Sequence, residues 1–418
     1  MIEAYLMHEK ERNAQGIPAL PLTPEQTTGL CDLLQNPPAG KEEFLMNLFT
    51  ERVSPGVDPA AEVKAGFLAE ILTGVKSSPL IDKKRAVQIL GTMIGGYNVQ
   101  PLIGALSDSA LADEAAAALS GMTYVYDAAD QVIELSKSNA AAKKVVESWA
   151  AAEWFTNKPV LDEIIKVKVF KVEGEINTDD FSPAGDAWSR PDIPLHALAM
   201  GKTRFPGGIE EIAKWRAEGH QVAFVGDVVG TGSSRKSACN SVLWCIGDDI
   251  PAVPNKRRGG VIIGGVIAPI FFNTAQDSGT LPLRMDVSNL NMGDVITINT
   301  AKGEVTNEAG DVVSTFDIKP DTVPDEFRAG GRIPLIIGCA LTKQAREALG
   351  MGEADIFAKA ANPEPKADQG YTQAQKMVGR ACGVDGVLPG SSCSPIMTTV
   401  GSQDTTGPMT ADEIKELA

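Results

Sequence analysis

Along the first 157 positions apolar residues recur three and four apart on segments bounded by proline, glycine and polar breakers, which is the spacing of one-sided helices. Five such groups are Phe44, Leu45 and Leu48; Val63, Phe67 and Ile71; Ala86, Ile89 and Leu90; Leu111, Ala115 and Leu119; and Val145, Trp149 and Ala152. Thr23-Pro24-Glu25-Gln26 has the form of a capping box with proline at the first helical position, and Asp58-Pro59 opens a helix in the same way. Breakers at Asn36-Pro37-Pro38-Ala39-Gly40, Ser54-Pro55-Gly56, Ser77-Ser78-Pro79 and Gly95-Gly96 fall about every twenty residues, so a helical hairpin takes about forty, the period of HEAT-type stacks. The pattern predicts an all-α, HEAT-like domain over 1–157, with an irregular helical bundle as the other arrangement that fits.

The period then changes. Ile165, Val167 and Val169 alternate with Lys166 and Lys168, and short apolar runs follow at Val222 to Val225, Val261-Ile262-Ile263, Val295 to Ile298 and Val312-Val313. Glycines and helical segments such as Ile209 to Ala217 separate them, so 160–350 reads as an α/β domain. The polar, proline-bearing stretch 351–372 reads as a linker. Residues 373–418 hold one helical stretch, Gln373 to Val378, a glycine-rich turn, and a capped helix start at Thr410-Ala411-Asp412-Glu413. So short a tail buries no core alone, and it is expected to be the beginning of a further α/β domain, cut off by the end of the chain.

A chain of 418 residues, 43% apolar and 22% charged, has the composition of a soluble globular protein of two or three domains. Its formal charge of -16 excludes a nucleic-acid binder held by general electrostatics, and an anionic ligand needs local positive charge to overcome that field. No apolar run reaches the roughly 18 to 20 residues of a membrane span, and Met1-Ile2-Glu3-Ala4-Tyr5 lacks the features of a secretion signal, so a cytoplasmic protein without membrane contact is expected. Cys31, Cys239, Cys245, Cys339, Cys382 and Cys393 form no Cys-x-x-Cys pair and read as reduced thiols. With only His8, His196 and His220 besides, a self-contained metal or cluster site is not expected.

Local positive charge occurs in Gly226-Asp227-Val228-Val229-Gly230-Thr231-Gly232-Ser233-Ser234-Arg235-Lys236-Ser237. This stretch follows the apolar run Val222 to Val225 and reads as a buried strand emptying into a glycine loop that opens a helix. Free helix N–H groups, the hydroxyls of Ser233 and Ser234 and the forked cation of Arg235 make it an anion cradle suited to a carboxylate. A Walker A loop would need glycine where Arg235 stands, and so would a dinucleotide fingerprint begun at Gly230-Thr231-Gly232. A plain strand-to-helix turn with a capping serine is the simpler reading of the same residues.

Three stretches together resemble the aconitase superfamily in its aconitase B branch, whose members are bifunctional, aconitate hydratase 2 and 2-methylisocitrate dehydratase in one protein. They are the segment from Thr178-Asp179-Asp180-Phe181-Ser182-Pro183 to Trp188-Ser189-Arg190-Pro191-Asp192, the loop Gly226 to Ser237, and Thr399 to Met409 with Gln403-Asp404-Thr405 at its centre. The resemblance implies a HEAT-like domain, then an aconitase swivel domain, then the start of the iron-sulfur domain, with the chain stopping about halfway through such a protein. It implies interconversion of citrate and isocitrate through cis-aconitate, and dehydration of 2-methylisocitrate, in the tricarboxylic acid cycle. Ser234 would be the base, Arg235 would stabilise its oxyanion, and Arg190 and Ser233 would hold substrate carboxylates, with Gln403, Asp404 and Thr405 at the substrate wall. The family's [4Fe-4S] cluster is a Lewis acid for the departing hydroxyl; its cysteines would fall beyond Ala418, so no cluster is expected on this chain and the chain alone is expected to be inactive. Homodimerisation through the helical domain, and binding of messenger RNA when the cluster is lost, are further implications. Where many aconitases carry histidine this sequence has Asp180, and Asp179 and Asp180, on a segment read as extended, are expected to be structural. The competing functional class is a non-catalytic helical-repeat protein that recognises protein or RNA, its anion loop being structural only.

Overall fold

The computed structural model of the chain describes residues 1–187, 192–232, 235–359, 363–365 and 369–399, with 187 and 235 described by backbone alone. Two compact units divide it, Met1–Phe357 and the segment that begins at Ala358.

Helices fill the first part of the larger unit: α1 (Ile2–Asn13), α2 (Pro24–Gln35), α3 (Glu42–Glu51), α4 (Pro59–Thr73), α5 (Lys83–Leu90), α6 (Val99–Ala105), α7 (Ala112–Ser120), α8 (Ala128–Ser136), α9 (Ala140–Ala150) and α10 (Glu153–Thr156). The start signals act as read. Thr23 accepts from the Gln26 amide while Gln26 returns a bond to the Thr23 amide, and Asp58 caps α4 ahead of Pro59. The apolar stripes of α1 to α9 meet in a continuous core, in which Leu45, Leu48, Leu90, Leu119 and Val145 are fully or almost fully buried, while Trp154 and Phe155 of α10 pack with Ala329 and Leu335. Trp149 closes that core with its indole N–H donating to the Leu119 carbonyl at 2.9 Å, so the one polar atom of the ring is satisfied.

The α/β region follows as β1 (Ile164–Asn177), α11 (Thr178–Phe181), α12 (Ala184–Ala187), α13 (Ile193–Ala197), α14 (Gly208–Ala217), β2 (Val222–Thr231), α15 (Arg235–Ile246), β3 (Asp248–Ile250), β4 (Val253–Arg258), β5 (Val261–Ile267), α16 (Pro269–Asp277), β6 (Leu281–Arg284), β7 (Val295–Asn299), β8 (Glu304–Thr306) and β9 (Val312–Thr315). Its seven-stranded sheet has the order β6-β5-β2-β1-β7-β8-β9. The first four strands are parallel and the last three join antiparallel, while β3 and β4 form a separate hairpin. Side chains alternate across the sheet with period two. Phe170, Val222, Phe224 and Ile262 pack with α14, α15 and α16, whereas Val169, Ala223, Val225 and Ile263 enter a second core on the opposite face.

Two more helices, α17 (Val323–Ala329) and α18 (Arg332–Ala348), carry the chain back toward its beginning. Leu341 and Ala345 of α18 enter the core of the helical layer, Trp154 Nε1 donates to Thr342 Oγ1 at 2.9 Å, and Gln344 Nε2 donates to Asp130 Oδ1 at 2.7 Å. In the smaller unit α19 (Gln373–Ala381) runs three residues past the predicted Gln373 to Val378 and starts in a Thr372–Gln375 capping box. The helix start read at Thr410 to Glu413 lies outside the described residues.

Candidate substrate site at the glycine loop

The parallel strand β2 runs into Gly230-Thr231-Gly232 at the carboxyl end of the sheet, the end at which α/β folds bind ligands. Gly230 (φ +80°) and Gly232 (φ +92°) hold left-handed backbone that L side chains avoid. Space requires glycine as well: a Cβ on Gly230 would stand 2.2 Å from Phe271 Cγ, and one on Gly232 2.8 Å from Thr178 Oγ1. Thr231 Oγ1 donates to Glu175 Oε1 at 2.7 Å and fastens the loop to β1. Helix α15 begins at Arg235, so its free amides face the point where the loop ends.

The loop lies against a second turn. Asn177 caps α11 by accepting from the amides of Asp179 (2.8 Å) and Asp180 (3.0 Å), and Asp180 Oδ2 accepts from the Asn177 amide at 2.9 Å. Asp179 and Asp180 therefore stand on a helical turn, not the extended segment expected from sequence. A bidentate cap costs less than straightening the chain, and the Asp180 carboxylate is engaged as its reciprocal half. Behind this turn Ser182 Oγ donates to Ser237 Oγ of α15 at 2.7 Å and lies 2.6 Å from His196 Nε2. Phe181 stacks on Phe271 at a centroid separation of 5.7 Å, giving the loop an apolar floor.

Arg190, Ser233, Ser234, Gln403, Asp404 and Thr405 lie outside the described residues, and Arg235 is described by its backbone, as the first residue of α15. The residues that flank one of these segments are engaged on both sides. On one side of 188–191, Asp186 pairs with Lys202 at 2.5 Å; on the other, Asp192 takes two bonds from the Arg12 guanidinium, one of them 3.0 Å. The sequence reading missed Asn177, Ser182 and His196 as neighbours of the loop, and gave Ser237, the last residue of the loop stretch, no partner. Only Asn177, three residues before Asp180, carried a capping signal that could have been read.

The described residues do not fit an iron-sulfur cluster. Among them no three or more His, Cys, Asp or Glu side chains gather where a metal ion could be held. Burial pushes the thiols of Cys31, Cys239 and Cys245 up to about 12, which opposes the thiolate that a ligand must be. The Cys382 thiol is raised as well, by desolvation and by its hydrogen bond with Cys393.

A helical layer followed by a part-parallel sheet with a glycine loop at its carboxyl end is the arrangement of an aconitase N-terminal region. Residues 4–155 match the family described as Aconitate B N-terminal domain, and 167–371 match that described as Aconitate hydratase 2 N-terminus. Aconitate hydratase B of Synechocystis sp. (strain ATCC 27184 / PCC 6803 / Kazusa) is 59% identical over 420 residues, covering 100% of this chain and 48% of its own length. The protein of that name from Escherichia coli (strain K12) is 58% identical over 430 residues, covering 100% and 50%, and that from Helicobacter pylori (strain J99 / ATCC 700824) 54% over 420, covering 100% and 49%. A solved 3-isopropylmalate dehydratase from Methanocaldococcus jannaschii is similar at a TM-score of 0.33 and 20% identity, over 44% of this chain and 99% of its own, a level that decides nothing further. The chain belongs to the aconitase B family. It spans about half the length of the curated relatives it matches.

Proposed function

We propose that this chain supplies the base and the carboxylate contacts of an aconitate hydratase that interconverts citrate and isocitrate through cis-aconitate and also dehydrates 2-methylisocitrate. Dehydration takes a proton from one carbon and a hydroxyl from the next, leaving the alkene and one water; hydration in the opposite sense gives the isomer. Ser234 takes the proton, and the α15 amides with the Arg235 guanidinium stabilise its oxyanion. Arg190 and Ser233 hold substrate carboxylates, and Gln403, Asp404 and Thr405 form the substrate wall. The [4Fe-4S] cluster of the full-length relatives would be held in the part of them that this chain does not span, so the chain alone is expected to bind the tricarboxylate and not to turn it over.

The observation that supports this reading is that a parallel strand ends at Thr231 and Gly232 follows it, three residues before the amide end of a helix that begins at Arg235. The helical layer is proposed to be a HEAT-like interaction surface used for dimerisation and, when the cluster is lost, for messenger RNA, and the protein to be cytoplasmic. Among the described residues no helix is long and apolar enough to cross a membrane.

The test is thermal unfolding of the chain with millimolar citrate or tricarballylate. Wild type is expected to be stabilised, and Arg190→Gln and Arg235→Gln to lose the effect. Equal stabilisation of both variants would overturn the assignment. In the full-length protein Ser234→Ala should lower turnover by several orders of magnitude with the cluster spectrum unchanged.

A further inference from the structure

At the amino ends of the parallel strands lies a cavity of about 310 Å³, bounded by Ile165 of β1, Val222 of β2, Val261 of β5 and Leu281 of β6. The ten residues of β2 separate this end of the sheet from the glycine loop by about 30 Å. The chain as a whole carries -16, yet four basic side chains line the cavity, Lys158, Arg216, Arg258 and Arg328, against two acidic ones, Asp162 and Asp248.

Two of the four cations are committed to the protein, and a third has one of its three donors taken. Arg216 donates to the carbonyls of Ile246 (2.7 Å) and Gly247 (2.9 Å) and to Asp248 Oδ1 (3.2 Å). Arg328 donates to the carbonyls of Lys158 (3.0 Å) and Thr156 (2.6 Å) and lies 4.5 Å above the Phe155 ring. Lys158 Nζ gives one hydrogen to the Ala329 carbonyl at 2.8 Å. Arg258 is different: among the described residues its guanidinium has no hydrogen-bond or ion-pair partner. Its Nη1 lies 3.4 Å from where a Cβ on Gly330 would stand, so the heads of Arg258 and Lys158 meet consecutive residues of one turn.

The carbonyl end of α17 accounts for Lys158, which caps it, but not for Arg258, which donates to none of its carbonyls. Two like charges held together in a walled recess repel, and burial with the Arg258 charge pushes the Lys158 amine down to about 8. An oxyanion between them removes that repulsion and gives both heads charge-assisted hydrogen bonds. Leu161, Ile165 and Phe327, each partly exposed, give the recess an apolar side.

We propose that this cavity binds a small organic oxyanion, its phosphate or carboxylate head held between Lys158 and Arg258 and its apolar body against Leu161, Ile165 and Phe327. The site is separate from the glycine loop and stands or falls independently of the function proposed for it.

Calorimetric titration of the chain at neutral pH and low ionic strength, with inorganic phosphate, phenyl phosphate and phenylacetate as probes, tests it. Phenyl phosphate or phenylacetate is expected to saturate at one per chain and to bind more tightly than inorganic phosphate, and whichever binds better assigns the head. Arg258→Gln removes an exposed, unpartnered side chain, so it should leave the unfolding midpoint unchanged while weakening binding about tenfold or more. Ser234→Ala should bind as wild type does. An amine-directed acylating reagent should modify Lys158 ahead of ordinary lysines, and the saturating probe should protect it in wild type but not in Arg258→Gln. Absence of saturable binding by all three probes, undiminished binding in Arg258→Gln, or modification of Lys158 indifferent to the probe would each overturn the proposal.

Discussion

Ser182 Oγ lies within hydrogen-bond distance of both His196 Nε2, at 2.6 Å, and Ser237 Oγ, at 2.7 Å. One hydroxyl thereby links α13, the α11 turn and the first turn of α15. Ser182→Ala breaks both bonds within a buried cluster and is expected to cost about 1–3 kcal/mol in urea unfolding. Because Ser237 stands three residues after Ser234, the variant should also lose part of its stabilisation by tricarballylate. An unchanged midpoint together with unchanged ligand response would refute the link.

Gly232→Ala is a sharper test of the loop. The added carbon meets Thr178 Oγ1 at 2.8 Å on a backbone at φ +92°, so the loop must shift. Citrate-induced stabilisation should disappear, whereas Gly310→Ala, also at positive φ but with open space around it, should lose stability without losing the ligand effect.

Lys64 predicts a pH dependence. Its side chain is fully buried in the helical core, Nζ has no hydrogen-bond partner among the described residues, and desolvation pushes its ionisation down to about 8, the Glu51 carboxylate only partly opposing this. Below pH 8 both folded and unfolded states hold the proton, and the buried charge costs about 3 kcal/mol. Between about 8 and the ordinary value of 10.5 the unfolded chain binds more protons than the folded one, so this group's contribution to stability rises with pH. Lys64→Met should therefore be more stable than wild type at pH 7, and the gap should close as pH approaches 10.5. A gap constant from pH 7 to 10 would contradict the assignment.

Asp192 both caps α13 and takes two bonds from Arg12, which is buried. Asp192→Asn keeps a capping oxygen and removes the charge, leaving the guanidinium uncompensated, at an expected cost of about 3 kcal/mol or more in denaturant unfolding. Because 188–191 adjoin Asp192, citrate stabilisation should fall with it. Loss of stability without loss of the ligand effect would separate Arg12 from the site.

The helical layer was legible because its signals are local: Thr23 and Asp58 sit at the caps they announce, and the stripes of Leu45, Leu90 and Val145 turn inward as spaced. The strands at Val222, Val261 and Val295 were legible for the same reason, as runs of β-branched residues. The short strand β6 was not, since Leu281-Pro282-Leu283 gives only two inward residues and its identity comes from pairing with β5. Helix α18 was not anticipated, although Leu341 and Ala345 stand four apart; its partner surface lies some two hundred residues earlier, and no local signal reports that. At the loop, the glycines were readable as an anion cradle, but Ser182 and His196 reach it only through the tertiary fold.

The return of α18 to the helical layer means that the sheet is tethered twice to the same neighbour, once through 157–163 on the way in and once through 316–331 on the way out. Arg12 to Asp192, the Ala252 amide to Glu51 and Asn255 to the Ala19 carbonyl cross the same boundary, so the helical layer and the sheet are expected to unfold as one cooperative body.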